Sequence, residues 1–206
     1  MEHLSKEERW NVYTHGFGAI ISFIAFLSFL IFDSVDTQEA LIGFLIYGFS
    51  LLFLFSASTI YHASSKVHQV FWQKIDHIGI YILIAGSYTP VTLSVLKESS
   101  GIPMLIAIWS IALVGAIYKL FLIGRFKNFS LFLYLGMGWL VVFDSENVYN
   151  LFPHEALVWL VLGGFFYTFG TIFYKLERLY FSHVIWHLFV LMGAASHFIM
   201  IVLLIF

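Results

Sequence analysis

The chain has 206 residues, of which 61% are hydrophobic and 11% are charged. Soluble domains carry about 25% charged residues, so this composition excludes that class and indicates a protein whose solvent is lipid. The net charge is −2 and the basic residues are scattered, so we expect no nucleic-acid partner. Because the sequence has no cysteine, any metal ion must be bound by His, Asp, Glu or water.

Seven apolar runs, separated by charged and turn residues, predict seven membrane-spanning helices. A bilayer core about 30 Å thick needs about 20 helical residues, and continuous apolar runs favour helices over the alternating strands of a barrel. We therefore predict an all-α integral membrane protein in which residues 1–206 form a single seven-helix domain. The fifth run is short, and we expect it to begin upstream or to cross a thin part of the bundle. The runs cover residues 14–32, 41–63, 76–96, 103–123, 129–143, 156–174 and 180–206.

The basic residues predict the orientation of these helices, because short cytoplasmic loops carry an excess of lysine and arginine. Nine of the ten basic residues lie on one side of the predicted spans, and Lys97 alone lies on the other. We therefore expect a multi-pass protein of the cell membrane with a cytoplasmic N-terminus and an outward-facing C-terminus. The nine are Lys6, Arg9, Lys66, Lys74, Lys119, Arg125, Lys127, Lys175 and Arg178.

Polar residues of three predicted spans lie at similar depths on this cytoplasmic side. At about 1.5 Å per helical residue, measured from the nearest basic residue, His183 lies about 7 Å deep and His187 about 13 Å. By the same measure His62 lies about 6 Å deep, Ser58 about 12 Å and Asp76 about 3 Å. We therefore expect these residues to meet in the inner leaflet.

The pair His183 and His187 predicts a metal site. Residues four apart share one face of a helix, so both imidazoles can point at one ion. Three imidazoles are a common ligand set for catalytic zinc, which keeps a fourth position open. We predict that His62 completes this set and that the cofactor is Zn²⁺. The familiar helical zinc motif has a glutamate directly after its first histidine, but Val184 occupies that position here, so the base must come from another helix.

Asp76 is the candidate for that base, because it is the only carboxylate within a predicted apolar span and an ionisable residue inside a membrane suggests function. A carboxylate close to the metal would orient a water molecule and accept its proton. Ser58 lies one turn before His62 on the same face. Its hydroxyl could hold the water, steady a ligand or donate to the oxygen that becomes negative during attack on a carbonyl.

Simpler roles are open for the same residues. Histidines near a membrane border can act as amphipathic anchors, and Asp76 could cap the third helix, because Asp is favoured at helix starts. His15 lies about 9 Å deep and is a further candidate for a ligand or for a residue that contacts one. His197 lies about 15 Å beyond His187, too far to reach the same ion. Contacts with solvent or lipid headgroups are expected for His3, His68, His77 and His154.

Three sequence blocks resemble the bacterial hemolysin III family, which belongs with the progestin and adipoQ receptors and, more distantly, with alkaline ceramidases. The blocks are residues 58–62 (STIYH), 74–90 (KIDHIGIYILIAGSYTP) and 183–198 (HVIWHLFVLMGAASHF), and residues 11–18 (NVYTHGFG) resemble the family's opening segment. The resemblance covers nearly the whole chain. It implies seven helices with a cytoplasmic N-terminus, a zinc ion bound by His62, His183 and His187, and positions close to that ion for Asp76 and Ser58.

Three functions are compatible with these observations. The first is a zinc-dependent hydrolase that cleaves an amide or ester of a membrane lipid, as the likeness to ceramidases implies. The second is a non-catalytic or weakly catalytic sensor of the membrane, in which zinc joins the second and seventh helices. The third is the pore-forming, cytolytic activity that gives the family its name. We rank it last, because the predicted helices have no continuous polar stripe to line an aqueous path.

Overall fold

The computed structural model describes residues 4–31, 37–123, 127–176 and 178–205. Within these ranges the secondary structure is helical. The helices are α1 (Lys6–Ile31), α2 (Gln38–Ala63), α3 (Lys66–Leu93), α4 (Gly101–Leu122), α5 (Lys127–Gly138), a 3-10 helix (Leu140–Asp144), α6 (Ser145–Leu151), α7 (His154–Lys175) and α8 (Ser182–Ile205). Because α5, the 3-10 helix and α6 follow one another as one segment, the described chain forms a bundle of seven helical segments, as the sequence predicts.

The length and outer surface of the helices are those of a membrane protein. Six segments are long and apolar enough to cross a membrane, judged by length and composition. Helix α3 has 28 residues and is also long enough, although Lys74, Asp76 and His77 make its first half more polar. Large apolar side chains point outward, where lipid can cover them. The chain is therefore a multi-pass membrane protein. Among the outward-pointing side chains, Ile20, Ile106 and Leu113 are each 62% exposed.

Helix α2 lies at the centre of the bundle. It packs along α1 and α3, α3 packs against α4, α7 packs against α8, and α8 also contacts α1. Two glycines let α2 and α3 approach closely: a Cβ atom at Gly43 would lie 2.5 Å from the Cα of Pro90, and one at Gly86 would lie 2.3 Å from the Oγ of Ser50. This packing brings the C-terminal end of α2, the first half of α3 and the first turns of α8 together at one end of the bundle.

Helix α3 begins ten residues earlier than its apolar run predicts. Its N-cap position is Ser65, so Asp76 lies inside the helix and the interpretation of Asp76 as a helix cap is wrong. Residues 66–75 contain many polar side chains, which end an apolar run, but they contain no proline or glycine that would end a helix.

The fifth span also differs from its prediction. The apolar run ends at residue 143, whereas helical structure continues through the 3-10 helix and α6 to Leu151. Asp144 makes this extension possible, because it accepts hydrogen bonds from Ser100 and, at 2.7 Å, from the Nδ2 of Asn147. The charged side chain that ends the apolar run therefore has hydrogen-bond partners within the protein.

Candidate metal centre

The histidine cluster is built from the last turn of α2 and the first turns of α8. The ring centroids of His62 and His183 lie 5.0 Å apart, those of His62 and His187 4.9 Å, and those of His183 and His187 4.7 Å. One nitrogen from each ring lies within 4.8 Å of the other two. His62 and His187 are buried and His183 is partly buried. The three histidines could together hold a metal ion.

The donor set fits zinc. Four-coordinate zinc has Zn–N bonds of about 2.1 Å, which place its nitrogen ligands about 3.4 Å apart, so modest side-chain movements would bring the three rings to bonding distance. The Nε2 of His62 is buried, and no described residue makes a hydrogen bond with it. Burying a polar nitrogen without a partner costs free energy, which a metal bond would offset. This atom is the strongest local sign that the cluster is a binding site.

Helix α1, which packs against α2 and α8, also contacts the cluster. The Oε2 of Glu8 lies 2.6 Å from the Nδ1 of His62. The same oxygen accepts a longer hydrogen bond, of 3.4 Å, from the Nδ2 of Asn11. One turn further along α1, the Oγ1 of Thr14 lies 3.2 Å from the Nδ1 of His187. Two of the three histidines are therefore held by side chains of α1.

A fourth histidine, His15, packs against this cluster. Its ring stacks on that of His187 with 3.5 Å between centroids, and its edge contacts Phe55. Both ring nitrogens of His15 are buried and have no hydrogen-bond partner among the described residues. His15 is not one of the three histidines whose nitrogens converge. His15 therefore contacts a candidate ligand, His187, without being one of the three converging histidines.

Asp76 and Ser58 line the same cavity as two of the three histidines, His183 and His187. This cavity has a volume of about 240 Å³. Ser58 is only 1% exposed, and its hydroxyl makes no hydrogen bond to any described residue. Among the other polar side chains that line the cavity are His15, Tyr61, Gln73, His77, Lys119 and Tyr174.

A second and larger cavity borders the first. Its volume is about 380 Å³, and its lining is almost entirely apolar. It extends from the histidine end towards α6 and the far end of α8. The two cavities have five lining residues in common: Leu54, Ile80, Tyr174, Trp186 and Val190. A polar chamber lined by two of the three candidate metal ligands therefore lies beside an apolar chamber inside the bundle.

The remaining histidines are placed as follows. His68 and His154 are exposed, as expected. The expectation for His77 is wrong, because it lies on α3 beyond the polar first turns, lines the polar cavity and donates from Nδ1 to the carbonyl oxygen of Gln73 at 2.6 Å. His197 lies deeper along α8 and lines the apolar cavity, away from the cluster. His3 is outside the described residues.

Two residues near the histidine cluster, Glu8 and Lys119, are not identified as site residues from the apolar runs. Glu8 precedes the first apolar run, but Glu8, Asn11 and His15 recur at i, i+3 and i+7, which is the signal of one helix face. Lys119 counts as a border residue in the orientation rule, yet it is only 4% exposed and lines the cavity. As an ionisable residue inside an apolar run, it carries the same signal that singles out Asp76.

Comparison with known proteins agrees with this architecture. The family model described as "Haemolysin-III related" matches residues 4–198. The chain belongs to the hemolysin III family. The chain is 41% identical over 196 residues to the "Hemolysin-3 homolog" of Bacillus subtilis (strain 168), covering 94% of this chain and 92% of that protein.

Other relatives of the hemolysin III family extend beyond bacteria. "Hemolysin-3" of Bacillus cereus is 40% identical over 201 residues, covering 96% of this chain and 91% of that protein. The human "Monocyte to macrophage differentiation factor" is 35% identical over 203 residues, covering 93% of this chain and 82% of that protein. Together with more distant relatives of the progestin and adipoQ receptor type, these matches place the family within that superfamily and confirm the resemblance.

Proposed function

We propose that this hemolysin III protein is a zinc-dependent hydrolase that cleaves an amide or ester bond of a membrane lipid. The observation that carries the proposal is the shared cavity: His183, His187, a carboxylate and a buried hydroxyl without a partner among the described residues line one chamber, and one nitrogen of His62 lies within 4.8 Å of nitrogens of both histidines. These are the groups that metal-assisted acyl hydrolysis requires. His62, His183 and His187 would hold the ion. Zinc bound there would polarise a carbonyl group and make water more acidic.

The side chains around the cluster have distinct tasks in this proposal. Asp76 accepts a proton from the water whose oxygen adds to the carbonyl carbon. When the carbon–nitrogen or carbon–oxygen bond breaks, the same carboxyl returns that proton to the leaving amine or alcohol. The Ser58 hydroxyl has no partner among the described residues, so it is available to donate to the carbonyl oxygen as that oxygen becomes negative.

The apolar cavity supports a lipid as the substrate. Ligand sites are mostly apolar, with a few polar groups that fix orientation, and have volumes of about 300–1,000 Å³. The 380 Å³ apolar chamber shares five lining residues with the polar one. An acyl chain in the apolar chamber would place its carbonyl group towards the histidines. The membrane would supply such chains directly, without passage through water.

Hydrolysis can be tested with purified protein in vesicles that contain lipid amides and esters. We expect zinc-dependent release of a fatty acid, with turnover lowered about 10²–10⁴-fold by Asp76→Asn. Glu39→Gln is the matched control, because Glu39 forms its 2.9 Å ion pair with Lys97 at the start of α2, at the opposite end of that helix from His62. Equal turnover of Asp76→Asn and wild type would refute the proposed base. Leakage of a trapped ion without lipid cleavage would instead favour a pore.

The positions of the three histidines on two different helices favour a second function. His62 is on α2 and the other two histidines are on α8, so a metal ion would join two helices that are distant in sequence. Zinc could then stabilise a membrane sensor without catalysing a reaction. This alternative predicts that chelation lowers Tm in a protein that cleaves none of the lipids tested. A Tm that chelation leaves unchanged would exclude it.

A further inference from the structure

We propose that α1 forms the outer wall of the metal centre, where Glu8 and Thr14 act as positioning residues for two ligands. This inference rests on the metal-binding part of the proposed function and does not depend on hydrolysis. Each of the two side chains contacts the Nδ1 atom of a ligand histidine. We infer that these contacts fix which nitrogen of each ring faces the ion.

The contact between Glu8 and His62 selects the tautomer of that ring. An ionised carboxylate can only accept a hydrogen bond, so Nδ1 of His62 must carry the hydrogen in the 2.6 Å contact. In a neutral imidazole the lone pair then lies on Nε2, the buried atom that no described residue satisfies. A carboxylate that holds a histidine in this way orients the ring and raises its strength as a ligand.

Thr14 has the same effect on His187. Its hydroxyl hydrogen is directed to backbone carbonyl oxygens of α1, at 2.9 Å from Trp10 and 3.0 Å from Asn11. The Thr14 oxygen is therefore left to accept, and the partner at 3.2 Å is the Nδ1 of His187. With the hydrogen on Nδ1, the Nε2 of His187 also carries the lone pair.

A purely structural role for Glu8 fits these contacts less well. Ser5 and Glu8 have the spacing of a capping box, in which the serine oxygen accepts from the glutamate backbone and the glutamate side chain returns to the serine backbone. The first half is present, because the backbone nitrogen of Glu8 donates to the Oγ of Ser5 at 3.1 Å. The carboxylate oxygen Oε2, however, accepts from His62 and Asn11. The side chain of Glu8 thus serves the histidine cluster.

The test is the zinc affinity of the full-length protein, measured in detergent by competition with a chelating dye. Loss of a residue that orients a ligand typically weakens metal binding about 10–100-fold, and we expect this loss for Glu8→Gln. Glu7→Gln is the matched control: it removes the same charge from the same first turn of α1 and should bind zinc as wild type does. Thr14→Val should bind zinc more weakly than wild type, whereas Thr14→Ser, which keeps the hydroxyl, should not.

The outcomes separate this inference from the proposed function. Wild-type protein that binds no zinc would refute the metal site itself. Zinc binding by wild type with an equal affinity in Glu8→Gln would overturn only the inference. Equal weakening by Glu7→Gln and Glu8→Gln would also overturn it, because the cause would then be the charge at the helix start. If Glu8→Gln does not fold, Glu8→Asp keeps that charge but withdraws the carboxylate from His62, and unchanged affinity in that variant would be equally decisive.

Discussion

His15 lies face to face with His187: the ring planes are inclined by only 9° and the centroids are 3.5 Å apart. The stack connects α1 to a ligand-bearing turn of α8 without adding a fourth converging nitrogen. His15 therefore supports the orientation of the His187 ring through packing. Substitutions of His15 can therefore distinguish a residue that packs against His187 from a residue that binds the metal.

We predict that His15→Phe retains the metal and is at least as stable as wild type. A phenyl ring can keep the stack, and the change removes two buried nitrogens that no described residue satisfies, each of which costs about 1–3 kcal/mol. His15→Ala removes the same two nitrogens but also the stacking ring, so it should be less stable than His15→Phe by about 1–3 kcal/mol, because it leaves a cavity beside His187. Metal content and thermal unfolding of both variants test this prediction. Loss of the metal from His15→Phe would show that His15 is a ligand.

Ser58→Ala should lower turnover without lowering stability. The Ser58 hydroxyl is buried and has no partner among the described residues, so its removal costs no hydrogen bond within the protein. Loss of a donor to a developing negative oxygen typically lowers kcat about 10²–10³-fold. The control is Ser50→Ala, also on α2, because Ser50 is buried but donates to the carbonyl oxygen of Tyr47 at 2.7 Å, outside the cavity. Similar losses of turnover in both variants would argue against a role in catalysis.

The sequence predicts the three clustered histidines better than it predicts the residues of α1 that contact them. The spacing of His183 and His187 fixes a common helix face, and similar depth adds His62, because both properties depend only on the regular geometry of an α-helix. Glu8 and Thr14 could not be found in this way. Their role depends on how α1 packs against α2 and α8, which is a tertiary relationship that hydropathy along one helix does not encode.

Helix ends are the other part that the sequence predicts poorly. Apolar runs report where lipid or the core covers the chain, whereas a helix continues until its backbone meets a breaker or a cap. The first ten residues of α3 are helical although half of them are polar, and the fifth span continues past Asp144, whose carboxylate accepts hydrogen bonds from Ser100 and Asn147. Lys119 lies in the last turn of α4, at the border of its span, but the orientation rule, which counts only its charge, contains no information about the cavity that it lines.

Filling the apolar cavity should change the choice of substrate. Gly164 lines this cavity, and a Cβ atom there would meet no described atom within 4 Å, so a leucine at this position has room for its first side-chain atom at the cavity wall. We expect cleavage of long-chain lipids to fall relative to short-chain lipids, while zinc content stays unchanged. Gly136→Leu is the control, since Gly136 also has open space but does not line the cavity. An unaltered chain-length preference in Gly164→Leu would show that the acyl chain binds elsewhere.

Metal analysis of the purified protein tests the central claim most directly. We predict about one zinc ion per chain, as in other three-histidine sites, and its loss when His183 and His187 are both replaced by alanine. The paired variant His68→Ala and His154→Ala removes two exposed histidines outside the cluster and should keep the metal. Wild-type protein without a stoichiometric metal ion, or a His183 and His187 double variant that retains it, would contradict the account.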